Sequence, residues 1–495
     1  MKQLVCIAVV AAVIWGKVVC GADQITSGKA MHVKLLAGAA ARSIVPDPDL
    51  VNNALHSNMT VRFDERGSEL QVKALALKFG NSKRLLLALD IVYIPNPHAE
   101  KMRRTISLAT GLPEDEIVIT ASHSHSTPFV EAFEGRQPYF EFVLKRSVEA
   151  AEEALRKLLP AKLGTGVTHV VGASFNTRVP LENGGVKFSR DFREGLASGR
   201  PIDPRLSVLR FDDEQGRPIA GWVRFAAHPA CVIFNTPISA EYPGYMTDGL
   251  SAGIAGKPPI LFGYGASGDV NCVPMFGMEA DSRNLGKQLA EQARVVFNSI
   301  KTHDPKRFLA TTRTVELPLE PIPSIETLDR EIAEVEKFIA ELDKNPELEW
   351  VLGINCKKGW PVANKKRHAQ PLADWARKVK TLVAQGHNFP TTWSRRITVW
   401  VIDDLALVFE SGETLVDVSL NLSARSPLAE TLLVSMSGGA DAYLGSDSDR
   451  RRAGYETFTS TRYAMLKPGS RLLPYALGTA DRYVAEILDM IKSLK

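Results

Sequence analysis

Ile117-Val118-Ile119-Thr120-Ala121-Ser122-His123-Ser124-His125-Ser126-Thr127-Pro128 opens on apolar, mostly β-branched residues and closes on two histidines set among small polar ones. The apolar run predicts a buried strand, and the polar residues after it predict a loop at the strand's carboxyl end. Loops in that position form the crevice where open α/β sheets place their ligands. Residues two apart on an extended segment point the same way, so His123 and His125 can converge on one ion. Two hydrogen-bonded core histidines would read the same.

Further strand patterns lie on either side. Leu85-Leu86-Leu87-Ala88-Leu89, Ser207-Val208-Leu209-Arg210-Phe211 and Trp222-Val223-Arg224-Phe225 are predicted strands, and Val399 to Phe409 holds at least one more. His98 to Leu108 reads as a helix, and Phe140 to Leu159 as an amphipathic helix ended by Pro160. Alternating strands and helices predict an α/β fold, with a mixed or mainly parallel sheet and flanking helices. From Ser324 to about Asp343 apolar Leu328, Ile332, Val335 and Ile339 recur at helical spacing, and a second helical segment runs from about Leu372 to Gln385. Strand patterns resume directly afterwards, so residues 322–392 read as a helical insertion packed on the main body and shaping access to a site.

The 495 residues are 45% hydrophobic and 23% charged, an ordinary globular balance. Residues 1–22 differ. Lys2 precedes an apolar run from Val5 to Trp15, too short to span a bilayer but suited to a signal peptide cleaved before Asp23. Cys20 raises a lipoprotein alternative, and a retained membrane anchor is the other. Export is the expectation, to a periplasm or beyond the cell, with no stable transmembrane span in the mature chain. Losing Lys2 and Lys17 takes the formal net charge from +4 to +2, which argues against nucleic acid as a partner. Of the five cysteines, Cys231, Cys272 and Cys356 would remain. An odd, sparse set is no disulfide framework, though one bridge is possible and spacing does not choose it. Without a CxxC, any metal is held by nitrogen and oxygen.

Other residues could join the histidine pair. His228 ends an apolar run in Phe225-Ala226-Ala227-His228-Pro229, and Glu413 follows another in Val408-Phe409-Glu410-Ser411-Gly412-Glu413-Thr414. A carboxylate there can reach back to a metal, or can serve as an acid at a helix N-terminus. Tyr443 and Tyr455 sit in glycine-rich loops, where tyrosines are often surface contacts. The loop Gly263-Tyr264-Gly265-Ala266-Ser267-Gly268-Asp269-Val270-Asn271 lacks both GxGxxG and a P-loop lysine, so it makes no case for a nucleotide.

Taken in order, His123-Ser124-His125, Asn176-Thr177-Arg178, His228-Pro229, Gly268-Asp269-Val270-Asn271, Gly412-Glu413 and Ala442-Tyr443-Leu444-Gly445 resemble the landmarks of the neutral ceramidase family. Gly38 to Pro46 is similar to the family's opening segment, and the resemblance runs from Leu35 to the C-terminus. It implies one catalytic domain over residues 23–495, with Zn²⁺ held by His123, His228, Glu413 and Tyr443. It further implies that His125 stabilises an oxyanion or moves a proton, and that Arg178 orients a polar head group or stabilises negative charge. Tyr455 would line the same site.

The chain departs from the family at three places. Asn271 stands where the ceramidases carry a serine, and asparagine can hydrogen-bond a substrate but cannot act as a nucleophile. The tyrosine loop is shorter, with Ser446 where another tyrosine is common. Lys495 leaves no room for the family's usual β-sandwich domain. The resemblance thus implies a zinc hydrolase cleaving an N-acyl amide bond in ceramide or a similar lipid, and so a place in sphingolipid metabolism. The alternatives are a hydrolase of the same fold acting on another amide, an ester or a saccharide, and a non-catalytic zinc or ligand-binding protein.

Overall fold

The computed structural model describes residues 33–47, 50, 55–56, 59–60, 62–130, 137–232, 237–357, 359–464 and 471–495. The predicted signal peptide lies outside them. Lys34–Lys495 forms a single compact unit.

Eight strands build the larger sheet: β1 (Leu35–Ser43), β2 (Gln71–Phe79), β3 (Ser82–Leu89), β4 (Ile117–Ala121), β5 (Leu159–His169), β6 (Arg205–Asp213), β7 (Pro218–Phe225) and β8 (Ile260–Tyr264). Their order is β8-β7-β6-β5-β1-β2-β3-β4. Only the outermost pairs, β3 with β4 and β7 with β8, are parallel. The interior pairs are antiparallel. A second sheet has β9 (Phe308–Pro318), β10 (Thr392–Ile402), β11 (Leu405–Glu410) and β12 (Glu430–Val434) in sequential order, with β11 and β12 parallel. The expected mixed sheet is present. The mainly parallel alternative is not, because neighbouring strands mostly follow one another through antiparallel pairs.

Side-chain alternation explains the stacking. On β3, Leu85, Leu87 and Leu89 join a core under the helices Asn96–Thr110, Gln137–Arg156, Glu241–Ala252 and Glu279–Ser299. Leu86 and Ala88 point the other way and meet Leu405, Leu407 and Phe409 of β11. Ala406 and Val408 face a third core under the helices Val416–Arg425 and Thr479–Ser493. The result is helices, sheet, sheet, helices. Strands buried on both faces have no polar side, so they read as unbroken apolar runs. Each fully buried leucine stabilises the stack by about 1.5–3 kcal/mol relative to exposure.

Two local expectations shift. The helix Gln137–Arg156 ends before Leu159, and Leu159 and Pro160 begin β5, where both pair with β1. Between β9 and β10 the chain forms the helices Ile325–Glu341 and Val362–Ala384, joined by a short ribbon of Trp350–Val351 and Ile354–Asn355. The second helix starts ten residues before the expected Leu372 and carries Pro371 inside it. Val335, Phe338, Ile354, Cys356 and Leu372 give this segment its own small apolar cluster. No helix among the described residues is long and apolar enough to cross a membrane.

Candidate metal centre

The segment after β12 draws the relevant strand ends together. Ser435 N donates to the Tyr264 carbonyl at the end of β8 (2.8 Å), and Ala121 N at the end of β4 donates to the Met436 carbonyl (3.0 Å). Met436 N donates to the Gly412 carbonyl (3.0 Å), just past β11. Ser437 N donates to the Glu410 carbonyl (2.8 Å) and Gly438 N to the Ile119 carbonyl (2.6 Å), so four consecutive residues join the ends of β4, β8 and β11. The loop after β4 carries His123 and His125, and the loop after β11 carries Glu413.

His123 is held in the left-handed region at φ 64°, which costs a non-glycine residue about 1–3 kcal/mol. Backbone bonds impose it: His123 N donates to the Ile91 carbonyl (3.0 Å), and Nδ1 donates to the Val92 carbonyl (2.6 Å). The second bond fixes the tautomer and leaves the Nε2 lone pair aimed inward. His123 and His125 do come together, with ring centroids 4.9 Å apart, but through a bent loop rather than the extended segment their spacing suggested. The nitrogens of His123, His125 and His228 that face one another lie within 4.8 Å, a group that can hold a metal ion.

His228 is positioned by its backbone N donating to the Val270 carbonyl (2.8 Å) and by a backbone bridge to Asn271. Its Nδ1 faces the Tyr264 hydroxyl (3.1 Å) and the Ser267 carbonyl (3.4 Å), both able to accept its proton. Nε2 is then turned towards His125 Nε2, 2.8 Å away. Burial, with repulsion from His123, pushes the His228 pKa down to about 3 despite the opposing pull of Glu413. At neutral pH it is therefore an uncharged imidazole, the form that binds metals.

Glu413 Oε2 lies 3.3 Å from His123 Nε2. Both atoms are buried, and neither makes a hydrogen bond of sound geometry among the described residues. Burial alone would raise the Glu413 pKa, but His123, His228 and a hydrogen bond from Tyr443 outweigh it and hold the carboxyl below its ordinary range. Two donors sharing a tetrahedral zinc at 2.0–2.1 Å sit about 3.3 Å apart. The orphaned pair fits a shared ion, and the nitrogen and oxygen donor set suits zinc.

Close approach of the backbone holds Tyr443 against Glu413. A side-chain carbon at Gly268 would lie 2.9 Å from Cδ1 of Tyr443 and 3.1 Å from the Glu413 carbonyl, so only glycine fits. At Gly412 the same atom would collide with the Arg395 guanidinium. Arg395, fully buried, donates to Glu410 (2.8 Å), Asp441 (2.6 Å) and the Ala442 carbonyl, bracketing the loops of Glu413 and Tyr443.

The remaining expected site residues divide. Asn271 is buried beside His228, and its Oδ1 has no hydrogen-bond partner among the described residues. The Tyr455 ring lies 5.8 Å from that of Tyr443 and 6.0 Å from that of Tyr463, whose hydroxyl donates to the His368 carbonyl on helix Val362–Ala384 (2.8 Å). Arg178 is buried and engaged within the protein: it donates to Glu456 and to the Asp449 (3.1 Å) and Ala453 (2.8 Å) carbonyls. Those residues flank Tyr455.

Two contributors escaped the sequence reading. Tyr264 lies in the glycine-rich loop of which only Gly268–Asn271 reads as part of the site. Glu241 is fully buried, and burial pushes its pKa up to about 8. It accepts from His125 N (3.0 Å), Ser126 Oγ (3.0 Å) and Val232 N (3.1 Å), tying the two histidine loops together. An acid amid Ile238-Ser239-Ala240-Glu241-Tyr242 was the available signal.

No family model matches the chain, and no curated protein matches it in sequence. Solved structures do. A neutral ceramidase from Pseudomonas aeruginosa superposes with a TM-score of 0.64 at 16% identity, over 93% of this chain and 74% of that one. The fold is that of neutral ceramidase. A ceramidase complexed with C2 gives a TM-score of 0.64 at 15% identity, over 93% of this chain and 75% of that one. The neutral ceramidase fold is thus kept at an identity too low to carry an activity across by itself.

Proposed function

We propose that the protein is an exported zinc hydrolase that cleaves an N-acyl amide bond of a lipid-like substrate, ceramide or a relative. The observation that carries this reading is the buried, unpartnered pair of His123 Nε2 and Glu413 Oε2 beside His125 and His228. His123, His228, Glu413 and Tyr443 would hold the ion. Bound zinc supplies Lewis acidity towards a carbonyl oxygen and lowers the pKa of water towards neutrality.

The chain's own groups do the rest. His125 Nε2 carries a proton from the attacking water to the leaving nitrogen. Asn271 offers its side-chain amide to the substrate's carbonyl group, holding it in register with the ion. Arg178 positions rather than touches: through Glu456 and the Asp449 and Ala453 carbonyls it braces the loop that presents Tyr455. Helix Val362–Ala384, linked to Tyr455 through Tyr463, would wall the approach to the site.

One observation favours a second reading. Asn271 puts no nucleophile beside His228, so an amide without acyl chains, an ester or a saccharide would be handled by the same groups.

Metal analysis of purified wild type and His228→Ala tests the centre: about one zinc per chain is expected, and its loss in the variant. Turnover of amides with and without acyl tails then separates the two substrate readings. A folded wild type that takes up no metal would remove the basis for both.

A further inference from the structure

Cys231 and Cys272 take no part in the proposed chemistry, yet both are wholly buried with their Sγ atoms 2.9 Å apart. Cys231 lies three residues after His228, Cys272 directly after Asn271, and the backbones of His228 and Asn271 bridge as parallel neighbours. Their alignment is set on both sides. His228 N donates to the Val270 carbonyl (2.8 Å) before the pair, and Phe276 N to the Ala230 carbonyl (2.9 Å) beyond it. Cys356 belongs to a different apolar cluster, under helix Val362–Ala384, so among the described cysteines proximity selects one pairing out of three.

We propose that Cys231 and Cys272 are joined by a disulfide formed as the chain folds, a covalent staple behind the loops of His228 and Asn271. The oxidant is an external disulfide, borne by a small molecule or a protein. One cysteine, deprotonated, attacks it to form a mixed disulfide and releases one thiolate. The other then displaces the second thiolate, so two cysteine protons and two electrons leave, and the carrier ends as two thiols. Timing follows from access. In the folded chain the hydrogen bond with Cys272 and burial hold the Cys231 thiol well above its ordinary range, so little thiolate is available and no carrier reaches it.

The test uses the full chain, unfolded in urea and refolded with oxidised and reduced glutathione. It is then alkylated under denaturing conditions without reductant and digested for mass spectrometry. The expected product is one cross-linked peptide pair holding Cys231 and Cys272, two hydrogens lighter than the thiol peptides, with Cys356 alkylated. Folded, reduced protein should react with oxidised glutathione at least roughly tenfold more slowly than the chain in urea. In Cys231→Ser, Cys272 should become alkylated. Protein that regains its native circular dichroism with Cys231 and Cys272 both alkylated, or with a bridge to Cys356, would overturn the proposal. None of these readouts depends on metal or substrate.

Discussion

His123 Nε2 faces Glu413 Oε2 across 3.3 Å, although His123 follows an edge strand of the eight-stranded sheet and Glu413 follows a strand of the four-stranded one. Neither sheet contains the pair. If they share an ion, Glu413→Gln keeps the shape but removes the charge, and zinc affinity should fall by roughly 10–100-fold. Competition with a chelator of known affinity measures it, and an unchanged affinity would show that Glu413 is not a ligand.

His125 and Asn271 are assigned to turnover rather than to the ion, and the assignments separate experimentally. His125→Ala should lower kcat by at least roughly 100-fold while zinc content stays at the wild-type level. Asn271→Ala should lower turnover with zinc retained as well. Loss of zinc from the first variant would make His125 a ligand, as its place in the histidine group also allows. Loss from the second would make the Asn271 loop structural.

Arg395 is fully buried against Glu410 and Asp441. Arg395→Met fills the space but removes the cation that Glu410 and Asp441 share, leaving Glu410 with hydroxyl donors, which should cost about 3–5 kcal/mol. Urea denaturation reads that cost. Because Arg395 also holds the Ala442 carbonyl beside Tyr443, chelator-induced zinc loss should be faster in the variant. A variant as stable as wild type would mean the network adds nothing net.

His368 packs against Tyr463 (5.3 Å) and Trp360 (5.5 Å), and burial, with Arg190 and Arg367 nearby, pushes its pKa down to about 4. An unfolded histidine titrates near 6.5, so between these values the unfolded chain binds more protons. The stability this neutral packing contributes is present above about pH 6.5 and lost as pH falls towards 4. From pH 7 to 5 the loss should be about 1–2 kcal/mol. His368→Phe keeps an aromatic face without the titration, and urea midpoints at the two pH values should draw together. Equal losses in both proteins would clear His368 of the effect.

The apolar runs told of strands because burial on both faces strips a strand of its polar side. They also placed His123 and His228 correctly at strand ends. Direction was not legible. Leu85–Leu89 reads the same whether its neighbours are parallel or antiparallel, since pairing is decided by distant partners. Pro160 reads as a helix stop because proline breaks helices, but it also fits near the first residue of a strand. The Glu413 and Tyr443 assignments came from resemblance, because nothing local distinguishes a ligand carboxylate from a helix-start acid. Glu241 and Tyr264 went unread since their roles exist only after loops far apart in sequence have met.

The stitch at Ser435–Gly438 makes the centre a late arrival in the life of the chain. Tyr443, the last of the proposed donors, lies nine residues beyond the end of β12, so the full proposed set exists only once both sheets have been synthesised. Donors from both sheets cannot meet until the sheets have docked. If the centre binds its ion as proposed, metal uptake would certify a finished molecule, and the rate at which a chelator strips the ion would clock the parting of the two sheets rather than the fraying of any single loop.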